Sequence, residues 1–216
     1  MKGKFIVFEG IDGSGKTTQL NLLADDLRSR GFAVLNTREP GGTRVGELIR
    51  EILLDPAYGE LVPRAEALLY AAARAQHVAQ VILPALREGR IVLCDRFLDS
   101  SLAYQGFGRG IEVGLLERIN EPATDGLAPD LTIILDSGIE DGMDRISLSG
   151  RDADRIEREA RAFHRKVRSG YLELAARDPS RYSVVNANRP VGQVYADVLR
   201  AVEEILNASP EKGSGT

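Results

Sequence analysis

The stretch FEGIDGSGKTTQL, Phe8 to Leu20, constrains the fold more than any other part of the chain. It puts Gly10, Gly13, Gly15 and a lysine between an apolar run, FIVF at 5–8, and an amphipathic segment. Gly10 to Thr17 fits G-x-x-x-x-G-K-[ST], in the strand-before and helix-after context that gives this pattern its meaning. Glycines there let backbone N–H groups converge on phosphate oxygens, and the start of the helix adds a partial positive charge. By the usual roles of the motif, Lys16 reaches the β- and γ-phosphates of a nucleoside triphosphate and the Thr17 hydroxyl binds Mg²⁺. Gly10, Ile11, Asp12, Gly13, Ser14, Gly15 and Thr18 are expected around the same phosphates.

A strand feeding such a loop predicts an α/β architecture, and the remaining chain agrees. Apolar, β-rich runs recur at 33–35, 91–94, 131–135 and 182–185, separated by longer amphipathic stretches, the pattern of a five-stranded parallel sheet flanked by helices. Helices are predicted over 17–30, ending at Gly31, and over 65–88, ending at Gly89, since glycine suits a helix C-terminus. Others are predicted over 44–54, 112–120, 139–147, 154–177 and 190–207. With 216 residues, 43% of them hydrophobic, the chain has material for one substantial core, so 1–207 reads as one domain and 208–216, rich in Pro, Gly and Ser, as a disordered tail.

Composition also excludes function classes. A net charge of −4 argues against a general nucleic-acid binder. No run approaches the roughly 20 apolar residues of a membrane span. Cys94 is the only cysteine, which rules out an intramolecular disulfide and fits a reducing cytoplasm; in a strand it reads as a buried small residue. His77 and His164 show no triad or metal spacing and read as structural.

A P-loop does not name a reaction, so the acceptor must be sought elsewhere. Three segments collect arginine, carboxylate and aromatic residues where helices leave the C-terminal edge of the sheet: TREPGGT at 37–43, LLYAAARAQ at 68–76 and LCDRFLDSSLAYQGFGRG at 93–110. The first holds Arg38 at a strand end, with the next helix starting near Thr43. In the second, Tyr70 and Arg74 stand one turn apart on one helical face. The third ends a strand with Asp95, able to hold a metal or its waters, and Arg96, able to clamp a phosphate. Asp95 and Arg96 can equally form a structural ion pair, and Tyr70 and Arg74 a core aromatic and a solvated charge.

Together with the P-loop, these segments resemble the thymidylate kinases, a family of P-loop nucleoside monophosphate kinases that phosphorylate dTMP with ATP. The run Leu93, Asp95, Arg96, Phe97, Ser100, Ser101, Ala103, Tyr104, Gln105 fits the family signature position by position, and the resemblance extends from about Lys4 to Leu206. It implies the P-loop NTPase three-layer fold, ATP and Mg²⁺, and a homodimer. It further implies that Arg38 and Arg96 bind the dTMP phosphate, Tyr70 stacks on thymine, Arg74 hydrogen-bonds the base, and Ser101 and Gln105 approach the base edge and sugar. Tyr104 would pack on the deoxyribose and exclude a 2′-hydroxyl, and Asp12 would reach a sugar hydroxyl. Asp95 joins Thr17 as the expected metal pair. Arg145, Asn188 and Arg189 are expected near adenine.

Phosphoryl transfer needs cations around the moving group and exclusion of water. The segment SLSGRDADRIERE at 147–159 fits a cationic lid, with Arg151, Arg155 and Arg158. Because Ile11 to Ser14 include no arginine, the chain resembles the class that keeps its catalytic arginine in the lid; Arg151 aligns best with that position and Arg155 competes, unless Arg155 merely pairs with Glu159 one turn on. The alternatives to a dTMP kinase are another nucleoside or nucleotide kinase, such as a deoxynucleoside kinase, and a non-catalytic P-loop switch.

Overall fold

The computed structural model describes residues 3–148, 150 and 152–207. The predicted tail at 208–216 and Arg151 both lie outside them. The strands β1 (Lys4–Glu9), β2 (Val34–Arg38), β3 (Ile91–Asp95), β4 (Leu131–Asp136) and β5 (Tyr182–Asn186) form one parallel sheet in the order β2-β3-β1-β4-β5. Strands buried on both faces sort their side chains by parity. Ile6, Phe8, Leu93 and Leu135 pack with Leu20, Leu23 and Leu27 of α1 (Lys16–Ser29) and Val194, Val198 and Val202 of α9 (Val191–Asn207). Phe5, Val7, Val92 and Cys94 face the opposite layer, with Val78, Ile82 and Phe97. Leu23 is fully buried, so Leu23→Ala would cost about 2–5 kcal/mol.

The helices α2 (Arg44–Leu54) and α3 (Pro63–His77) follow β2. Thr43 caps α2 as expected, its hydroxyl accepting from the Gly46 amide at 2.9 Å. The predicted helix 65–88 is not uniform. It starts at Pro63, widens into a π turn at Val78–Ile82 and closes as α4 (Leu83–Arg87). Pro84 explains the break, because it has no N–H to give and its ring would crowd a regular α turn. Beyond β3, the signature segment is helical where no helix is predicted from its pattern: α5 (Leu98–Ser101) runs into a π stretch, Leu102–Gly108. The next helices, α6 (Val113–Thr124) and α7 (Ile139–Leu148), lie close to their predicted ranges.

The predicted helix 154–177 begins late, as α8 (Arg161–Arg177). Residues 155–159 form turns because Asp154 Oδ1 accepts from the amides of Ile156 and Glu157, both at 2.9 Å, offering the backbone an alternative to the helix. Strand register then aligns the site: Phe8 is level with Asp95, and Asp95 with Arg38, so three strand ends open side by side onto one crevice.

Candidate active site

The P-loop half of that crevice is built from backbone. Gly13 has φ 73°, and a Cβ there would lie 2.2 Å from the Gly142 carbonyl oxygen, so the loop touches α7 directly and only glycine fits. Gly15, φ 94°, caps α1 with no side-chain hydrogen bond. Lys16 is buried, its ammonium donating to the carbonyls of Gly10 at 3.2 Å and Ile11 at 2.9 Å; burial, with Arg96 nearby, lowers its pKa. Thr17 Oγ1 donates to Asp95 Oδ2 at 2.7 Å, so the expected metal pair meets at one point. Arg145 ties the loop to the strand layer, donating to the Gly13 carbonyl at 3.0 Å and the Ala187 carbonyl at 3.4 Å. Gly13, Gly15, Lys16, Thr17, Thr18 and Arg145 line a cleft of about 440 Å³ that continues to Arg38, Asp95 and Arg96.

Of the other P-loop positions, Ile11 is core, and the buried Ser14 hydroxyl has no hydrogen-bond partner among the described residues. The predicted adenine contacts separate. Asn188 Oδ1 accepts from the Gly138 amide at 3.1 Å, bracing the loop before α7, whereas Arg189 turns away to pair with Asp197 and donate to the Asn186 carbonyl.

The acceptor half is built from side chains brought together across the chain. Arg96 has φ 74°, a costly conformation for any L-residue with a bulky side chain, held by its amide bonding the Phe8 carbonyl at 2.9 Å. That turn aims its guanidinium back under the P-loop, where Nη2 donates to Asp12 Oδ1 at 2.6 Å and Tyr104 OH at 3.1 Å. Its Nη1 donates to the Gly10 carbonyl, Ser100 Oγ and Tyr171 OH. Tyr104 OH in turn donates to Asp12 Oδ2 at 2.8 Å. Burial alone would raise the Asp12 pKa, but the Arg96 and Lys16 charges outweigh it and hold the carboxyl well below the usual carboxylate range.

Behind Arg96 lies Glu9, fully buried and not singled out by sequence reasoning. It accepts from the Phe97 and Ser100 amides, the Ser100 hydroxyl at 2.6 Å and the Tyr171 hydroxyl at 2.7 Å. Burial still dominates and pushes its pKa up to about 7. A carboxylate closing an apolar strand is the one signal that could have drawn attention to it. Tyr171, on α8, carries no such signal.

Arg38 pairs with Glu47 at 2.8 Å and donates to the Pro40 carbonyl, which also accepts from Arg50 at 2.9 Å. Arg50 lines the cleft beside Arg38 and was missed, although it stands one turn from Glu47 on α2. Tyr70, Tyr104 and Gln105 line an adjoining pocket with Glu39, Ser100 and Asp154. Arg74 is 1% exposed: it donates to Glu39 Oε2, Ser101 Oγ, Asn120 Oδ1 and the Phe97 carbonyl, leaving one N–H of its five uncommitted among the described residues. Ser101 is correspondingly buried. His77 is structural as read, bonded to Glu39 Oε1 at 3.0 Å and Thr37 Oγ1 at 2.6 Å. Arg155 pairs with Glu66 at 2.6 Å, and Glu159, the partner offered by the alternative to a lid role, pairs with Arg109 instead.

The sequence profile described as thymidylate kinase matches residues 8–198. The chain belongs to the thymidylate kinase family. A thymidylate kinase of Pelotomaculum thermopropionicum is 68% identical over 208 residues, 96% of each chain. One of Desulforudis audaxviator is 53% identical over 99% of this chain and 96% of that protein. The crystal structure of a thymidylate kinase from Ehrlichia chaffeensis superposes with a TM-score of 0.76 at 35% identity, covering 94% of this chain and 99% of that one. The family membership makes the chain a kinase, a nucleotide-binding transferase. Among the described residues no helix is long and apolar enough to cross a membrane.

Proposed function

We propose that the two halves of the cleft divide one reaction, direct in-line transfer of the γ-phosphoryl group of ATP to the phosphate of dTMP, giving ADP and dTDP. The observation that carries this reading is the continuity of the cleft from Lys16 and Thr17 to Arg38 and Arg96, with an aromatic pocket at its far end. The P-loop amides and Lys16 hold the donor's β- and γ-phosphates. Arg38, Arg50 and Arg96 grip the acceptor phosphate, exchanging their present bonds to Glu47, the Pro40 carbonyl and Asp12 for charge-assisted contact with a dianion. A nucleoside acceptor would leave those guanidinium groups without an anion. A binding-only switch would not need the pocket of Tyr70, Tyr104 and Gln105.

Thr17 and Asp95 are the residues that would hold Mg²⁺, and they fit it: a hydroxyl and a carboxylate 2.7 Å apart, beside the phosphate cleft, suit an ion that keeps waters and phosphate oxygens as its other ligands. Bound there, the ion offsets the charge on the transferring phosphates. Tyr70 supplies a face for thymine, and the remaining N–H of Arg74 a donor for the base edge. Tyr104 packs edge-on against Phe163 and Tyr171 at 6.1 and 6.3 Å, so its ring cannot give way to a 2′-hydroxyl. Asp12, ionised at neutral pH, is an acceptor for a sugar hydroxyl once released from Arg96.

Residues 1–207 act as one kinase domain. An exposed apolar stripe on the paired helices α2 and α3 (Val45, Leu48, Ile52, Leu68) supports a homodimer joined there. Sedimentation equilibrium at micromolar concentration that reads a single chain mass would refute it. The single buried thiol, Cys94, suits the reducing cytoplasm. A panel of acceptors tests the function: ADP release should be fast with dTMP and much slower with CMP, AMP, UMP and thymidine. Comparable efficiency with CMP or AMP would overturn the assignment.

A further inference from the structure

Outside the phosphate cleft, four hydrogen-bond contacts converge on one fully buried carboxylate. Glu66 of α3 is 0% exposed. Its Oε1 accepts from Gln105 Nε2 at 2.9 Å and Arg109 Nε at 3.3 Å, and its Oε2 from Arg155 Nη2 at 2.6 Å and Arg109 Nη2 at 3.2 Å. Two guanidinium groups on one carboxylate leave a positive excess, which Glu159 offsets at 2.5 Å from Arg109. Burying such charges costs more than an apolar contact of the same size, so stability alone is a poor reason for the cluster. What it does supply is geometry.

The geometry leads back to the cleft along two routes. Arg155 is held two further ways, its amide bonding the Leu54 carbonyl and its Nε the Leu53 carbonyl, both at 2.9 Å; these lie among the last carbonyls of α2, which lack an intrahelical partner. Its neighbours Asp154 and Glu157 line the phosphate cleft, in the turn that Asp154 itself closes. By the second route, Gln105 lines the acceptor pocket, and Tyr70, on the same face of α3 one turn after Glu66, lines it too.

We propose that Glu66 is a positioning residue for phosphoryl transfer: by gripping Arg155 and Gln105 together, it fixes the Asp154–Glu157 turn relative to the acceptor pocket. Arg155 then serves as the anchor of that turn rather than as a contact to the moving phosphoryl group. The inference rests on the dTMP kinase reading above.

A double-mutant cycle tests it with Glu66→Gln, Arg155→Met and the pair, plus Arg155→Lys, which keeps the charge and loses the fork. The measurements are kcat, both KM values and ATP hydrolysis without acceptor, at a temperature where circular dichroism shows each variant folded. Misplacement of the turn should lower kcat about tenfold to a hundredfold in each single variant, with the ATP KM within about twofold of wild type. The double variant should be no slower than the slower single one, and Arg155→Lys should not rescue. Hydrolysis without dTMP should rise relative to transfer. Variants that melt earlier yet turn over at the wild-type rate, or losses that multiply, overturn the proposal alone. Wild-type enzyme that releases no ADP with dTMP overturns the functional reading and the proposal with it.

Discussion

The two halves of the cleft are built on different principles. The P-loop half is local: eight consecutive residues, three of them glycines at positive φ, form the cradle, and its close approach to α7 depends on the missing Cβ of Gly13. The acceptor half is assembled: Arg96 is held by groups from the P-loop, from its own segment and from Tyr171, 75 positions away. The local half presents amides that need no counter-charge. The assembled half carries guanidinium groups, and each is already paired with a carboxylate or carbonyl before any substrate is considered. A backbone cradle can therefore be damaged by adding one methyl group, whereas a side-chain clamp is damaged by removing a charge or its support.

The largest effect should come from the lid arginine that the sequence offers. If Arg151 contacts the γ-phosphoryl group only in the transition state, Arg151→Ala should lower kcat on the order of a thousandfold with little change in either KM. Near-normal kcat in a folded variant would place the needed cation elsewhere. Next, Gly13→Ala must push the Gly142 carbonyl aside from a 2.2 Å contact, so it should weaken ATP binding about a hundredfold while dTMP binding, measured by calorimetry, stays near wild type. Equal losses for both ligands would erase the distinction between the halves.

An effect on stability rather than on catalysis concerns the support beneath Arg96. Glu9 has a folded pKa of about 7 against an ordinary 4.5, so between those values the folded state holds a proton that the unfolded chain has released. Wild-type stability attributable to Glu9 therefore declines as pH rises through that window, by at most about 1.4 kcal/mol per unit, and is flat above it. Glu9→Gln lacks this dependence. Its urea stability relative to wild type should rise from pH 4.5 to 7 and then level off; a difference independent of pH would show that Glu9 titrates normally.

The same contrast governs what could be read from sequence. The P-loop was legible because its geometry is written in consecutive residues, and the five strands because parallel, doubly buried strands are near-continuous apolar runs. Arg38, Asp95 and Arg96 could be placed at strand ends, but their shared level depends on register, which spacing does not reveal. Glu9 and Tyr171 meet across 162 positions, and Arg155 and Glu66 across 89. No local pattern reports such pairs, which is why Arg155 remained open between two roles. The late start of α8 has a local cause, the Asp154 turn, but the same residues also fit a helix by charge spacing.

If the acceptor half is a phosphate clamp, the ratio of kcat/KM for dTMP to that for thymidine should report it. Wild type should strongly favour dTMP. In Arg96→Ala the ratio should fall by about a hundredfold, because a buried charge-assisted contact to phosphate is lost while thymidine has none to lose. A ratio unchanged by the substitution, or a wild-type preference for thymidine, would show that Arg96 is no phosphate clamp.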